Sequence, residues 1–92
     1  DTQIGTFVEI QKEVVVGENV RIQSHSFLCS GVQIENDVFI GHNVTFINDR
    51  YPTTRKSEKK SWILEGTKVR RGASIGSGSV ILCGEVPQIQ RA

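Results

Sequence analysis

The 92-residue sequence has few of several residue types, and each shortage excludes a class of protein. Two cysteines, Cys29 and Cys83, are too few and too far apart for a disulfide scaffold, and neither belongs to a Cys-x-x-Cys pair of the kind that binds zinc. We therefore expect free thiols in a reducing compartment. Neither an apolar run of membrane-spanning length nor a signal-type segment is present, so we expect a cytoplasmic protein.

The sequence also lacks a strong excess of either charge. Eleven basic residues face ten acidic ones, a net charge of +1 with neutral histidines. This balance argues against a nucleic acid or a membrane surface as the main partner. Residues 50–71 depart from it, with eight basic residues against two acidic ones and a local net charge of +6. The remainder of the chain is therefore acidic.

An aliphatic or aromatic residue returns at every sixth position over the first half of the chain. This first series is Ile4, Ile10, Val16, Ile22, Leu28, Ile34, Ile40 and Phe46. A second series lies two residues before most of its members, as Val8, Val14, Val20, Ser26, Val32, Val38 and Val44. A period of six fits neither a helix nor simple strand alternation, and it is typical of a parallel β-helix. We predict short strands whose inward residues stack on residues three repeats away.

The third position after each member of the first series is a predicted turn. These positions hold Phe7, Glu13, Asn19, His25, Gly31, Asp37 and Asn43. Asn, Asp, His and Gly are the residue types that best tolerate a left-handed backbone. The first series resumes as Ile63, Val69, Ile75 and Ile81, with turn positions at Gly66, Gly72, Gly78 and Gly84. Pro87 occupies the next position of the series and is predicted to end the pattern.

We predict one domain over residues 1–92, with repeats at 4–47 and 63–86 and an irregular end at 87–92. Residues 48–62 have no apolar period and form a predicted excursion loop, either functional or a solvated insertion. So small a domain buries a modest fraction of its surface unless it associates. The periodicity leaves the handedness open, and the usual crossover rule favours right-handed coils.

Two segments carry a family resemblance. They are Phe46-Ile-Asn-Asp-Arg-Tyr-Pro52 and Arg70-Arg-Gly-Ala-Ser-Ile-Gly-Ser-Gly-Ser-Val-Ile-Leu-Cys-Gly84. With the repeats, residues 4–86 resemble the hexapeptide-repeat acyltransferase superfamily, most of all the branch that acetylates the amino group of nucleotide-linked amino sugars. Gly66 and Lys68 depart from the pattern of that branch, where a proline and an aliphatic residue are usual. The family also continues with further coils and often a C-terminal helix, so we expect a chain truncated relative to it.

The resemblance implies an all-β, left-handed parallel β-helix that binds acetyl-coenzyme A as acyl donor. It implies a homotrimer with active sites between adjacent prisms and an amino-sugar acceptor used in polysaccharide precursor synthesis. No metal, nucleic-acid or membrane partner is expected. The reaction is the attack of an amine on a thioester carbonyl, which needs a positioned amine, a route for its proton and donors to the developing oxyanion.

His25 matches the position of the family's active-site polar residue, so it is the predicted catalytic base or amine-positioning group. A histidine also fits a left-handed turn, and a purely structural role stays open. The predicted substrate contacts are His42, Asn48, Asp49, Arg50 and Tyr51. The predicted cofactor contacts are Lys68, Arg70, Arg71, Ala73 and Gly78. For these residues, surface turns, loop capping and a solvated charged face are the alternatives.

Two other functions fit the repeats. One is a zinc carbonic anhydrase built on the same kind of prism, whose metal lies on three histidines between subunits. The chain has only His25 and His42, so such a site would need a ligand of another type. The other is a trimeric β-helix scaffold without catalytic activity.

Overall fold

The computed structural model describes residues 1–48 and 66–86, and all regular structure in these two ranges is β-strand. The twelve strands are β1 Gln3–Ile4, β2 Glu9–Ile10, β3 Val15–Val16, β4 Arg21–Ile22, β5 Phe27–Leu28, β6 Val32–Ile34, β7 Phe39–Ile40, β8 Thr45–Phe46, β9 Thr67–Val69, β10 Ser74–Ile75, β11 Val80–Ile81 and β12 Gly84–Val86. The strands are this short because a turn follows every pair of inward positions.

Every third strand belongs to the same parallel sheet. Sheet A has the order β1-β4-β7-β10, sheet B β2-β5-β8-β11 and sheet C β3-β6-β9-β12. The three sheets are the walls of a left-handed parallel β-helix with four coils, at residues 3–20, 21–38, 39–73 and 74–86. Ile4 pairs with Ile22, and Ile22 pairs with Ile40, so each partner lies three repeats further along the chain. The predicted stacking over three repeats is therefore confirmed.

The third coil is longer than the others. Ile40 pairs with Ile22 on the preceding coil and with Ile75 on the next coil. Along the chain, Ile75 is almost twice as far from Ile40 as Ile22 is. The extra length falls between β8 and β9, in residues 49–65, which lie outside the described residues. Residues 48 and 66, which border this range, both lie at the corner between sheets B and C.

The predicted turn residues adopt the left-handed backbone. All seven in the first half do so, from Phe7 with φ 57° to Asn43 with φ 53°. Gly72 and Gly78 also have positive φ, but Gly66 does not. Gly84 has φ 134° and is the first residue of β12, so the turn predicted at this position is wrong. Gly66 directly precedes β9 at the re-entry of the chain, and a Cβ there would lie 2.9 Å from the Gly31 carbonyl oxygen. Gly66 therefore permits a close approach of two backbones, and the prediction of a left-handed turn at this position is wrong.

The first series forms the core of the prism. From coil 2 onward its members Ile22, Leu28, Ile34, Ile40 and Phe46 are at most 2% exposed. On coil 1 the corresponding residues remain open to solvent, with Ile4 51% and Ile10 38% exposed. The cause is their place in the stack, because each strand of coil 1 has a neighbour on one side only.

The last described strand corrects the predicted register. β12 pairs Gly84 with Thr67 and Val86 with Val69, whereas a regular coil would pair Val69 with the position after Val86. The turn before β12 is thus shorter by a single position than the period of six requires. Val86 therefore holds the position beside Val69 that the period predicted for residue 87.

Two buried hydroxyls differ in their hydrogen bonds. Ser26 is 1% exposed, its Oγ donates to the Gly41 carbonyl at 2.9 Å, and it accepts the Val44 N–H at 3.1 Å. Thr67 is 2% exposed, and its Oγ1 has no hydrogen-bond partner within the part of the chain that the structure describes. Ser26 therefore interrupts the valine series for a structural reason, while the hydroxyl of Thr67 contributes no bond.

We expect Ser26→Val to lower the free energy of unfolding by about 1–3 kcal/mol, because two buried backbone groups lose their partner. Thr67→Val is the matched control and should be neutral or stabilising, since it removes an unpaired buried hydroxyl from a side chain of the same shape. Urea denaturation of both variants measures the difference. An equal loss in the two variants would contradict the assigned role of Ser26.

Candidate functional site

The two histidines lie at one corner of the prism. This A–B corner comprises the turns at residues 5–8, 23–26, 41–44 and 76–79, between sheets A and B. The N–H of His25 donates to the Thr6 carbonyl at 3.0 Å, and the carbonyl of His42 accepts the Gly78 N–H at 2.9 Å. Asn43 N–H donates to the Ser24 carbonyl at 3.0 Å, which joins the two histidine-bearing turns. His25 and His42 therefore lie on adjacent coils of the same corner, and both are exposed.

The imidazole of His25 packs on an aromatic ring. Its centroid lies 5.2 Å from that of Phe7, with the two planes tilted by 38°. Phe7 and His25 hold the same turn position on successive coils, with φ 57° and 65°, so their side chains leave the backbone in the same direction. The six-residue period is the signal that could have predicted this contact, because the two residues are separated by one full coil of three repeats.

The turn that carries His42 is held by its neighbours. The N–H of His42 donates to Ser77 Oγ at 2.9 Å on the next coil. Gly41 lies so close to this serine that a Cβ at residue 41 would be 2.6 Å from Ser77 N. On its other side, the Gly41 carbonyl accepts the bond from Ser26. Ser77 was not among the predicted site residues, and it fixes the backbone that presents His42.

The predicted cofactor contacts are divided between two corners, the strand face of sheet C and the core. Gly78 shares the A–B corner with the histidines. Lys68 lies on sheet C, and Arg70 and Arg71 follow it in the turn between sheets C and A. Ala73 has 0% exposure, its N–H donates to the Arg70 carbonyl at 3.2 Å, and its own carbonyl accepts the Phe39 N–H at 2.9 Å. Ala73 thus offers a cofactor no contact in this structure, and that prediction does not fit.

Glu35 joins the two arginines to the preceding coil. Its Oε1 accepts the Arg71 N–H at 2.8 Å, and its Oε2 accepts Arg70 Nη1 at 3.2 Å. The backbone N–H of Arg71 and the charge and hydrogen bond of Arg70 lower the pKa of the Glu35 carboxyl, and Lys68 adds to this shift. Beside the cluster is an open cavity of about 370 Å³, lined by Val15, Gly17, Gln33, Ile34, Glu35, Asn36 and Arg71.

This cluster leads to a pH-dependent prediction for stability. Because the pKa of Glu35 is lower in the folded protein, its stabilising effect is complete above the pKa of an unfolded glutamate and is lost as pH falls through the folded value. Glu35→Gln should therefore lower the melting temperature at neutral pH and have progressively less effect in acid. Melting curves of wild type and variant from pH 7 to pH 3 measure this. A difference that stayed constant over the range would refute it.

The remaining predicted residues lie at or beyond the third corner. Asn48 is half-buried between sheets B and C, and its Nδ2 donates to the Ser30 carbonyl at 3.0 Å. Its amide therefore caps the preceding coil. Asp49, Arg50 and Tyr51 lie outside the described residues, so their predicted substrate contacts remain predictions.

Both cysteines are free thiols, as expected from the sequence, and the structure shows that both are buried. Burial raises the pKa of the Cys29 thiol, and the proximity of Cys83 adds to the rise, so the thiolate form is disfavoured at neutral pH. In residues 1–48 and 66–86, no three His, Cys, Asp or Glu side chains come together in a way that could hold a metal ion. The same ranges contain no helix of a length and apolarity that could cross a membrane.

The sequence is similar to that of a known protein. The chain is 36% identical over 87 residues to a serine acetyltransferase of Buchnera aphidicola subsp. Acyrthosiphon pisum (strain APS). The match covers 82% of the chain but 32% of the relative, so the chain spans about a third of the length of this curated relative. No protein-family model matches the sequence.

The fold and this relative agree on the class of protein. Three parallel sheets with a turn at every sixth residue define a hexapeptide-repeat β-helix. The similarity to an acetyltransferase supports the hexapeptide-repeat acyltransferase superfamily within that class. The narrower resemblance to the amino-sugar branch rests on the sequence motifs.

Proposed function

We propose that the chain carries the site of an acetyl-CoA-dependent acetyltransferase whose acceptor is the amino group of a nucleotide-linked amino sugar. The observation that carries this proposal is the pair of exposed histidines on adjacent coils of the A–B corner. The serine acetyltransferase relative supports acetyl transfer. The amino-sugar acceptor is supported by the motifs at residues 46–52 and 70–84.

His25 is the proposed base. As the amine attacks the thioester carbonyl, a C–N bond forms, the C–S bond breaks and the amine loses a proton. A neutral imidazole nitrogen accepts that proton, and the imidazolium returns it to the sulfur of coenzyme A, which leaves as the thiol. His42 lies on the next coil and would orient the acceptor beside His25. The turn that presents His42 is already fixed by Ser77, so little ordering is needed on binding.

A homotrimer would unite groups that one prism keeps apart. Within one chain the histidines lie at the A–B corner, while Lys68 and Arg71 lie on and after sheet C. In a closed threefold assembly, one corner of each prism faces a different side of the next. Lys68 and the exposed Arg71 of a second copy would then bind the phosphates of coenzyme A or of the nucleotide. Arg70 forms an ion pair with Glu35 of its own chain, so its side chain would remain in that contact.

The activity is tested with acetyl-CoA and a panel of nucleotide-linked amino sugars. Free thiol release and a mass increase of one acetyl group on the acceptor are the expected results. L-serine belongs in the panel, because the relative is named for it. Transfer to serine alone would contradict the proposed amino-sugar acceptor but would support acetyl transfer. Silence of a trimeric sample with every acceptor would overturn the enzyme and favour a scaffold.

Sites between subunits are tested by mixing inactive variants. His25→Asn and Lys68→Ala chains, refolded together in equal amounts, should recover about a quarter of the wild-type activity, because that share of the interfaces joins an intact His25 to an intact Lys68. Each variant refolded alone is the control. If every site lay within one chain, the mixture would be as inactive as its components.

A further inference from the structure

Phe7 occupies an unusual position on the A–B corner. It is the single Phe, Tyr or Trp among the left-handed residues of the described chain, where polar residues otherwise predominate. A bulky side chain with φ 57° is a genuine outlier, because its Cβ crowds the following carbonyl. The ring is also 78% exposed, so burial does not compensate for the strain. Within the described residues, Phe7 is not part of the core cluster.

The contact that this ring makes is with His25. The centroids are 5.2 Å apart at a tilt of 38°, a geometry that aromatic pairs favour. The His25 N–H bond to the Thr6 carbonyl at 3.0 Å fixes the two turns in register, so the ring lies one coil before the imidazole. Asn43 holds the same turn position one coil after His25. The Phe7 ring therefore limits the imidazole from one side along the prism axis.

We propose that Phe7 is a positioning residue, which holds the exposed imidazole of His25 in the orientation needed to meet the acceptor. This role rests on the proposed acetyl transfer. Without this contact, an exposed imidazole on a turn would sample several rotamers. The imidazole would then have to be ordered in every turnover, which lowers the rate of the reaction. Phe7 acts through His25 and needs no contact with the substrate.

Phe7→Gly is the decisive variant, because it removes the ring and relieves the left-handed backbone. We expect the melting temperature to be retained or raised, while kcat falls about 10- to 100-fold and KM for acetyl-CoA stays unchanged. Phe7→Tyr should keep the activity, since the ring remains. Glu13→Gly is the matched control, because Glu13 is an exposed left-handed residue at the next corner of the same coil, with φ 63°. It should leave kcat unchanged.

Nuclear magnetic resonance tests the contact without any activity. The chain has two histidines, and their imidazole C–H signals are assigned by His42→Gln. In Phe7→Gly the His25 signals should move as the ring current is lost, and those of His42 should not. Unmoved His25 signals, or kcat that falls only in step with stability, would overturn the positioning role. A wild type inactive on every acceptor, with the His25 shift observed, would overturn the proposed function and leave the contact established.

Discussion

Replacing His25 by asparagine is expected to lower kcat by about 10²- to 10⁴-fold, the usual contribution of a general base. Asparagine tolerates the left-handed backbone that residue 25 requires, so the turn and its hydrogen bond to Thr6 are kept. Its amide can orient an amine but cannot accept the proton at neutral pH. The variant therefore distinguishes a role of His25 as the base from a role in orienting the amine and from a role in the turn.

The measurement is steady-state acetyl transfer together with a melting curve for the same sample. His42→Gln is the comparison, and we expect it chiefly to raise KM for the acceptor, because His42 is assigned to orientation. Retained turnover in His25→Asn would refute the role of His25 as the base and would leave its role in orienting the amine. If His25→Ala lost folding and activity in parallel, the histidine would serve the turn alone.

The sequence predicted the parts of this fold that depend on local rules. A six-residue period requires an inward pair and a turn in each repeat, and the left-handed residues follow from it from Phe7 through Asn43. The period also predicted that His25 and His42 lie at one corner. One full coil joins Ile4 to Ile22, and the separation of the two histidines along the chain is a single position shorter than that. Stacking in a repeat structure is set by counting, so these contacts required no knowledge of the packing.

The misses arose where counting fails. The shorter last turn placed Val86 beside Val69, and the re-entry of the chain made Gly66 a point of close backbone approach. Ala73 is a different case, because the period itself places it in the core, two positions before Ile75, and its assignment to a cofactor rested on the sequence motif. The predicted cofactor residues were grouped by charge and motif, whereas the three walls separate them.

Replacing Phe46, the one aromatic residue of the first series, is expected to have the largest effect on stability. Phe46 has 0% exposure and lies on β8, between β5 and β11 in sheet B. It pairs with Ile81 on coil 4 and packs in the cluster that includes Leu28 and Ile40. Phe46→Ala should lower the free energy of unfolding by about 3–5 kcal/mol, from lost burial and the cavity left behind.

The neighbouring exposed position supplies the control for this change. Val80 pairs with Thr45 in the same sheet and is 61% exposed, so Val80→Ala should change the free energy of unfolding by less than about 0.5 kcal/mol. Urea denaturation followed by circular dichroism measures both variants. Comparable losses would show that the outer face of sheet B is covered in solution, as a trimer that used this face would require. A large loss in Phe46→Ala alone would show that Phe46 stabilises the prism from within and that Val80 lies outside any stabilising interface.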